Sequence, residues 1–384
     1  MTVLKPPMGF NTWNTFGGAI NDKLIMETAD AMAESGLKEL GYEYVVIDDC
    51  WSEKRRDVDG RLVPSRDKLP NGIKPVADYV HSKGLKFGIY SCVGTMTCDG
   101  YPGSYGHEYL DTATFAEWGV DFLKYDYCYR PKTSRGEDLY RKMALALKSS
   151  GRDILFSACS WGHDGTDEWI DTTGANMWLA MGDIKDSWQY IKNLSEKCVF
   201  MRCVNRINCF TDLDMLIVGM KGKGFCAITG CSFEEYKTHF SFWAMMGSPL
   251  MISCDIREMD EETRAILFNK EIIAVNQDSE LNRPYLLHSS DHEGHDVDGT
   301  YVFAKILENG DIALGFFNYS DNKIGRFVTE SMLGLDADIP LEYTVHDLWS
   351  GEEVKPINGT VLADIEPHGC RMFRVKIHKQ EKRQ

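Results

Sequence analysis

The stretch Asp121-Phe122-Leu123-Lys124-Tyr125-Asp126-Tyr127-Cys128 is the most informative part of this sequence for the fold. Its apolar residues predict a buried strand, and Lys124 and Asp126 share one face because strand side chains repeat every second residue. A cation beside a carboxylate lowers the pKa of that carboxylate and keeps it ionised. The pair fits either an ion pair that caps a strand or an ionised nucleophile at a strand end.

Strands and helices alternate from the N-terminus to about residue 278. The predicted strands are Met8–Trp13, Tyr44–Asp48, Lys86–Ser91, Asp121–Tyr125, Ile154–Ala158, Ala175–Leu179, Met215–Val218 and Pro249–Ser253. Between them, stretches such as Asp22–Ser35 and Ile73–Lys83 carry apolar residues at the helical spacings of three and four. Eight strand–helix units predict an α/β fold, a (β/α)8 TIM barrel over residues 1–278.

After Asp278 the pattern changes to short strands separated by turns. The strands predicted there are Thr300–Lys305, Ile312–Asn318, Glu342–Leu348 and Met372–Ile377. Asn309-Gly310, Ser350-Gly351 and Asn358-Gly359 supply the turn signals that separate several of them. We therefore expect a C-terminal antiparallel β-sandwich domain over residues 279–384.

The composition restricts the partners and the compartment. The 384 residues include 58 Asp and Glu against 42 Lys and Arg, a net charge of -16 that argues against nucleic acid and anionic membranes as partners. The twelve cysteines and ten histidines form no Cys-x-x-Cys or His-Glu-x-x-His motif, so we expect neither a metal nor a cofactor. With no signal-peptide pattern and scattered cysteines, a cytoplasmic location is expected, although secretion stays open if the chain was trimmed.

Polar and aromatic side chains collect at the C-terminal ends of the predicted strands, where such barrels place their active sites. They include Asn11, Trp13, Asp48, Asp49, Tyr90, Lys124, Asp126, Ser160, Trp161 and Asp183. Adjacent carboxylates such as Asp48 and Asp49 repel each other unless they bind a polar group, and vicinal sugar hydroxyls are suitable partners. Tryptophan rings offer flat faces for the C–H surface of a sugar. These residues favour a carbohydrate site.

The chain resembles glycoside hydrolase family 27, which contains the α-galactosidases and α-N-acetylgalactosaminidases. The motifs that carry the resemblance include Met8-Gly9-Phe10-Asn11-Thr12-Trp13, Ile47-Asp48-Asp49-Cys50-Trp51, Lys124-Tyr125-Asp126, Asp183-Ile184-Lys185-Asp186 and Asp212-Leu213-Asp214-Met215-Leu216. They occur in family order over essentially the whole chain. The resemblance implies a retaining exo-acting hydrolase that releases terminal α-linked galactose by double displacement.

The resemblance also implies roles for individual residues. Asp126 matches the nucleophile and Asp183 the general acid/base. Residues that match the sugar-binding set are Trp13, Asp48, Asp49, Tyr90, Lys124 and Met246; Trp161 joins them as an aromatic at a strand end. Cys98 and Cys128 match an active-site disulfide, whose formation would depend on the compartment. The implied partner is an α-galactoside oligosaccharide or glycoconjugate, and homo-oligomers are frequent in the family.

Two positions depart from the family pattern at the part of the pocket that reads the sugar's 2-position. Ser160 stands where animal galactosidases have a glutamate, and in this it resembles the N-acetylgalactosaminidases; Leu179 stands where the family usually has an arginine. The alternatives are an α-N-acetylgalactosaminidase, a β-L-arabinopyranosidase, or a sugar-binding protein without catalysis. The presence of both Asp126 and Asp183 argues against the last of these.

Overall fold

Parallel strands with helices between them form the first part of the fold in the computed structural model, which describes residues 2–203, 205–287, 299–335 and 342–378. The strands of this part are β1 (Met8–Asn11), β2 (Tyr44–Val46), β3 (Lys86–Cys92), β4 (Phe122–Asp126), β5 (Leu155–Cys159), β6 (Met177–Leu179), β7 (Asp186–Ser187), β8 (Phe210–Asp212), β9 (Ala227–Gly230) and β10 (Leu250–Ile252). All but β7 and β9 belong to one sheet, in the order β10-β1-β2-β3-β4-β5-β6-β8. A parallel bridge runs from Leu216, in the segment that follows β8, to Ile252 of β10 and closes the sheet, so the predicted eight-stranded barrel is confirmed.

The helices surround this sheet. They are α1 (Trp13–Phe16), α2 (Asp22–Ser35), α3 (Ile73–Ser82), α4 (Glu108–Glu117), α5 (Gly136–Ser149), α6 (Thr166–Trp169), α7 (Trp188–Phe200), α8 (Phe233–Met246), α9 (Glu261–Leu267) and α10 (Lys270–Asn276). Helix α2 begins where the Asn21 side chain accepts a hydrogen bond from the Leu24 amide, and it ends at Gly36, whose φ is 95°. Within the described residues, no helix combines the length and the apolar character that crossing a membrane requires.

The seventh barrel strand differs from the prediction. It is β8 at Phe210–Asp212, paired with β6 in the register Leu179↔Asp212, and not the predicted Met215–Val218. The apolar residues of Met215–Val218 follow a bend at Asp214, where φ is 79° and a regular strand cannot continue. The bend leaves the Asp214 side chain at the strand end, where it contributes to the pocket described below.

The C-terminal part is an antiparallel β structure, as expected from the sequence. Its strands are β11 (Tyr285–Leu287), β12 (Thr300–Ile306), β13 (Ile312–Asn318), β14 (Ile324–Thr329), β15 (Glu342–Asp347), β16 (Glu353–Val354), β17 (Thr360–Ile365) and β18 (Cys370–His378). Six of them form the sheet β11-β12-β13-β18-β15-β16, and β14 pairs with β17, two strands that the sequence prediction missed. Asn358 and Gly359 both have positive φ, as a tight hairpin turn requires.

Helix α8 lies between the barrel and the C-terminal sheet. Phe242 on α8 packs edge-on against Phe317 of β13, with ring centroids 5.3 Å apart. On the barrel side, the indole nitrogen of Trp243 donates to the Asp214 carbonyl oxygen over 2.7 Å. Because α8 is buried from both directions, the sandwich supports the helix that in turn holds one strand end of the site.

Candidate active site

One pocket lies at the C-terminal ends of the barrel strands. Its lining consists of Trp13, Asn14, Asp48, Asp49, Tyr90, Cys98, Lys124, Asp126, Asp183, Asp214 and Met215. Five of these described residues are aspartates and one is a lysine, so the pocket offers mainly hydrogen-bond acceptors. Such a lining suits an uncharged ligand that is rich in hydroxyl groups, because a carboxylate accepts hydrogen bonds and cannot donate them when ionised.

Asp126 is the buried carboxylate at the end of β4. The Tyr90 hydroxyl donates to its Oδ2 over 2.8 Å, and the Tyr127 amide donates to its Oδ1 over 2.7 Å. Burial raises the pKa of Asp126 to about 6, although Lys124 and the two hydrogen bonds lower it and nearby Asp183 raises it further. The sequence-based expectation of a lowered pKa is therefore wrong, because the loss of hydration outweighs the attraction of the lysine.

Lys124 forms its ion pair with Asp48, which follows β2, two strands away from β4 in the sheet. Its Nζ lies 2.8 Å from Oδ2 of Asp48, and the Asn11 amide nitrogen donates to the same oxygen over 2.8 Å. Burial lowers the pKa of Lys124, but the surrounding carboxylates, Asp48 foremost, raise it well above its ordinary value. The lysine is thus held charged and fixed between β2 and β4, within the field that acts on Asp126.

Asp49 is the second of the adjacent carboxylates. Its Oδ1 accepts from the Cys50 amide over 2.6 Å, and its Oδ2 accepts from the Asp99 amide over 3.3 Å. Burial raises the pKa of Asp49, and hydrogen bonds from Thr97 and Cys50 oppose that rise. These backbone contacts fix the carboxylate while leaving further acceptor positions on both oxygens for hydroxyl groups of a ligand.

Asp183 is exposed and lies just after β6, in contrast to the buried Asp126. The next residue, Ile184, donates its amide to Oδ2 of Asp214 over 2.6 Å, and the Met215 amide donates to Oδ1 of Asp214 over 2.8 Å. Burial raises the pKa of Asp214 to about 8, with further increases from Asp183 and Asp212. Asp214 therefore anchors the turn that carries Asp183 to the end of β8.

Cys98 and Cys128 are joined in a disulfide next to Asp126. Their Cα atoms are 5.4 Å apart, and the Cys98 sulfur lies 3.7 Å from Oδ2 of Asp126. The bridge connects the loop after β3 to the end of β4. It thereby restrains the backbone directly after the carboxylate.

Three residues predicted for the site do not line this pocket. Met246 is the last residue of α8 and lies in the core, where its carbonyl oxygen accepts from the Asn205 side chain over 2.7 Å. The methionine in the pocket is Met215. Ser160 is fully buried, and among the described residues its Oγ has no hydrogen-bond partner. Trp161 is half-buried, with its ring 6.0 Å from that of His163.

The sequence reasoning missed Asn14, Asp214 and Met215 as lining residues. Asp214 and Met215 belong to a motif that carried the family resemblance, so their position in the sequence was a usable signal. Asn14 lies one position after the aromatic Trp13 and had no such signal. Leu179 lies with Asp212 around a smaller cavity deeper in the barrel, and no arginine among the described residues lines either space.

The fold and the pocket define a barrel glycosidase whose paired carboxyl groups differ in burial. The chain belongs to the α-galactosidase family: a family model described as alpha galactosidase A matches residues 6–278, and one described as alpha galactosidase C-terminal beta sandwich domain matches residues 297–375. The resemblance stated from the sequence is therefore confirmed, and with it the assignment of the chain as a glycosidase.

Curated relatives and solved structures agree with this assignment. The α-galactosidase of Cyamopsis tetragonoloba is 40% identical over 96% of this chain and 85% of the relative, and that of Coffea arabica is 41% identical over 96% and 93%. The crystal structure of α-galactosidase I from Mortierella vinacea has a TM-score of 0.85 at 32% identity and covers 97% of each chain. The Saccharomyces cerevisiae α-galactosidase solved with raffinose has a TM-score of 0.84 at 27% identity, over 98% of each chain.

Proposed function

We propose that this chain hydrolyses terminal α-galactosides with retention of configuration, with Asp126 as nucleophile and Asp183 as general acid/base. The observation that carries the proposal is the pairing of a buried, hydrogen-bonded carboxyl group and an exposed one in a single pocket. A retaining hydrolase needs one carboxylate to attack the anomeric carbon and a second carboxyl group to serve the leaving group and then water.

In the first step, an Asp126 oxygen attacks C1 of the sugar while Asp183 donates its proton to the glycosidic oxygen. The bond between C1 and the leaving group breaks, and a covalent β-glycosyl ester forms. In the second step, Asp183 takes a proton from water, the water oxygen attacks C1, and the ester oxygen leaves as the Asp126 carboxylate. Two inversions return the α configuration.

Substrate recognition rests on the remaining pocket residues. Asp48 and Asp49 accept hydrogen bonds from sugar hydroxyls, and Lys124 donates from the position between Asp48 and Asp126. The half-buried Trp13 provides an apolar wall. The pocket is small and lies at the strand ends, which fits binding of one terminal sugar. That the Saccharomyces cerevisiae relative was solved with raffinose supports an α-galactoside as the substrate.

A second candidate, α-N-acetylgalactosaminide, is favoured by one observation. Position 160 carries a serine where animal galactosidases have a glutamate; its hydroxyl is buried behind the pocket lining and has no partner among the described residues. We test these two candidate substrates, together with the β-L-arabinopyranoside alternative, by comparing kcat/KM on p-nitrophenyl α-galactoside, p-nitrophenyl α-N-acetylgalactosaminide and p-nitrophenyl β-L-arabinopyranoside. Preference for the first is expected; preference for either of the others would replace the proposed substrate.

The acid side of the pH–rate profile should report Asp126. Because the folded pKa of Asp126 is about 6 and attack needs the ionised form, kcat/KM should fall about tenfold for each pH unit below that value. Lys124→Met should move this limb to higher pH, since Lys124 lowers the pKa of Asp126. The measurement is kcat/KM on p-nitrophenyl α-galactoside across the limb.

A second ion pair, between Lys142 and Glu108, provides a matched control away from the pocket. Lys142 lies 2.8 Å from the buried carboxylate of Glu108, the same distance as in the Lys124–Asp48 pair. Lys142→Met also leaves a buried carboxylate without its lysine, but it should leave the acid limb in place. If the acid limb of the Lys124→Met profile lies at the wild-type pH, Lys124 does not control the pKa of Asp126.

A further inference from the structure

An exposed aromatic ring lies beside the pocket and has no part in the mechanism above. Phe225 is 61% exposed, so much of its ring is open to a ligand. Its ring packs edge-on against Trp13, with centroids 5.1 Å apart and an interplanar angle of 68°. Since Trp13 lines the pocket, the Phe225 ring continues the aromatic wall outwards from the sugar site.

The Phe225 ring is held in place by backbone contacts on both sides. The Phe225 amide donates to the Thr15 carbonyl over 3.0 Å, and the Cys226 amide donates to the Asn14 carbonyl over 2.8 Å. At Gly17, where φ is +49°, an added Cβ would lie 2.8 Å from the ring, so glycine is needed for this close approach. A ring fixed before binding loses little conformational entropy when a ligand stacks on it.

The position of the Phe225 ring relative to Asp183 indicates on which side of the pocket the ring lies. The Cys226 carbonyl accepts from the Asp186 amide over 3.0 Å, which links the Phe225 segment to the segment that carries Asp183. In the proposed reaction Asp183 protonates the leaving oxygen, so its segment marks where the leaving group departs. Phe225 therefore lies between the Trp13 wall and the leaving-group side.

We propose that Phe225 is the binding platform for the first sugar of the leaving group, a neutral hexopyranose whose C–H face stacks on the exposed ring. This inference rests on the proposed function and extends it from the terminal sugar to its neighbour. The chemistry is that of apolar C–H surface on an aromatic face. Such a contact acts on substrates with a sugar leaving group and is absent when the leaving group is a single atom.

The test compares two substrates in two variants of Phe225 and in one control variant. On an α-galactosyl-glucose disaccharide, Phe225→Ala should lower kcat/KM about tenfold, whereas on α-galactosyl fluoride it should leave kcat/KM within about twofold of the wild type. Phe225→Tyr keeps the ring and should retain most of the disaccharide activity. Phe200→Ala is the matched control, because Phe200 is 78% exposed on α7 and does not line the pocket.

The outcomes separate this inference from the proposed function. Equal losses on both substrates would show that Phe225 only supports Trp13, and no loss on the disaccharide would show that the leaving sugar does not touch the ring; either overturns the inference. If the wild-type protein fails to hydrolyse α-galactosyl fluoride, the proposed function itself fails. If Phe225→Ala is active on α-galactosyl fluoride and its disaccharide rate is unchanged, the proposed function holds and the binding platform is refuted.

Discussion

Replacing Asp126 by asparagine should reduce kcat on p-nitrophenyl α-galactoside by about 10⁴-fold or more, because the amide cannot form the covalent ester. The hydrogen bonds from the Tyr90 hydroxyl and the Tyr127 amide hold this side chain in place, so the variant should keep its position in the pocket. The rate is measured at pH values above about 6, where the wild-type carboxyl group is ionised.

A second variant tests the covalent step itself. Asp126→Ala leaves a space beside C1, and added azide should restore activity and give β-galactosyl azide, the product of a single inversion. Asp78→Asn, on the surface of α3 with 55% of its side chain exposed, is the control that should keep the wild-type rate. Wild-type activity in Asp126→Asn, or α-configured azide from Asp126→Ala, contradicts the mechanism.

Replacing Asp183 by alanine should have an effect that depends on the leaving group. For a disaccharide, whose leaving oxygen needs a proton, the rate of the first step should fall by about 10²–10⁴-fold. For α-galactosyl fluoride, which leaves without that assistance, the first step should be almost unaffected, and the glycosyl-enzyme should accumulate because no base activates water. A burst of fluoride release followed by slow turnover is the expected trace.

The control for Asp183 is an exposed carboxylate that does not line the pocket. Glu168 is exposed in α6, and Glu168→Gln should change neither the burst nor the steady-state rate. A loss of the same factor for both substrates in Asp183→Ala would assign Asp183 to binding. In that case another proton donor would have to be sought at the pocket.

Most of the barrel followed from the sequence because buried parallel strands are short apolar runs separated by helical patterns. The seventh strand did not, since Phe210–Asp212 contains a single apolar residue, whereas Met215–Val218 is a continuous apolar run that reads as the better strand. What decides between them is the left-handed backbone at Asp214, which depends on bonds from Ile184 and Met215 that only the folded chain supplies. Strands β14 and β17 were also missed; they form a separate two-stranded sheet whose buried side chains pack in the core of the second domain.

The site was predictable where a residue stood at a strand end, as Asp48, Asp126 and Asp183 do. The ion pair was only partly predictable. Lys124 and Asp126 share a face of one strand, which the sequence shows, but the ion-pair partner of Lys124 is Asp48, which follows β2, two strands away in the sheet. The sequence reasoning assigned the pocket methionine to Met246, but Met246 lies on α8, a helix that packs behind the strands. Cytoplasmic localisation stays a prediction, and a disulfide at Cys98–Cys128 is not the bond that a reducing compartment favours.

The order of the sheet has a consequence for synthesis on the ribosome. Strand β1 pairs on one side with β10, through partners such as Met8 and Leu250 that are about 240 positions apart along the chain. The first strand to be synthesised therefore keeps an unpaired edge until the last barrel strand has left the exit tunnel. Contacts between residues so far apart in the sequence form slowly. We infer that the nascent chain is most exposed to aggregation during this interval.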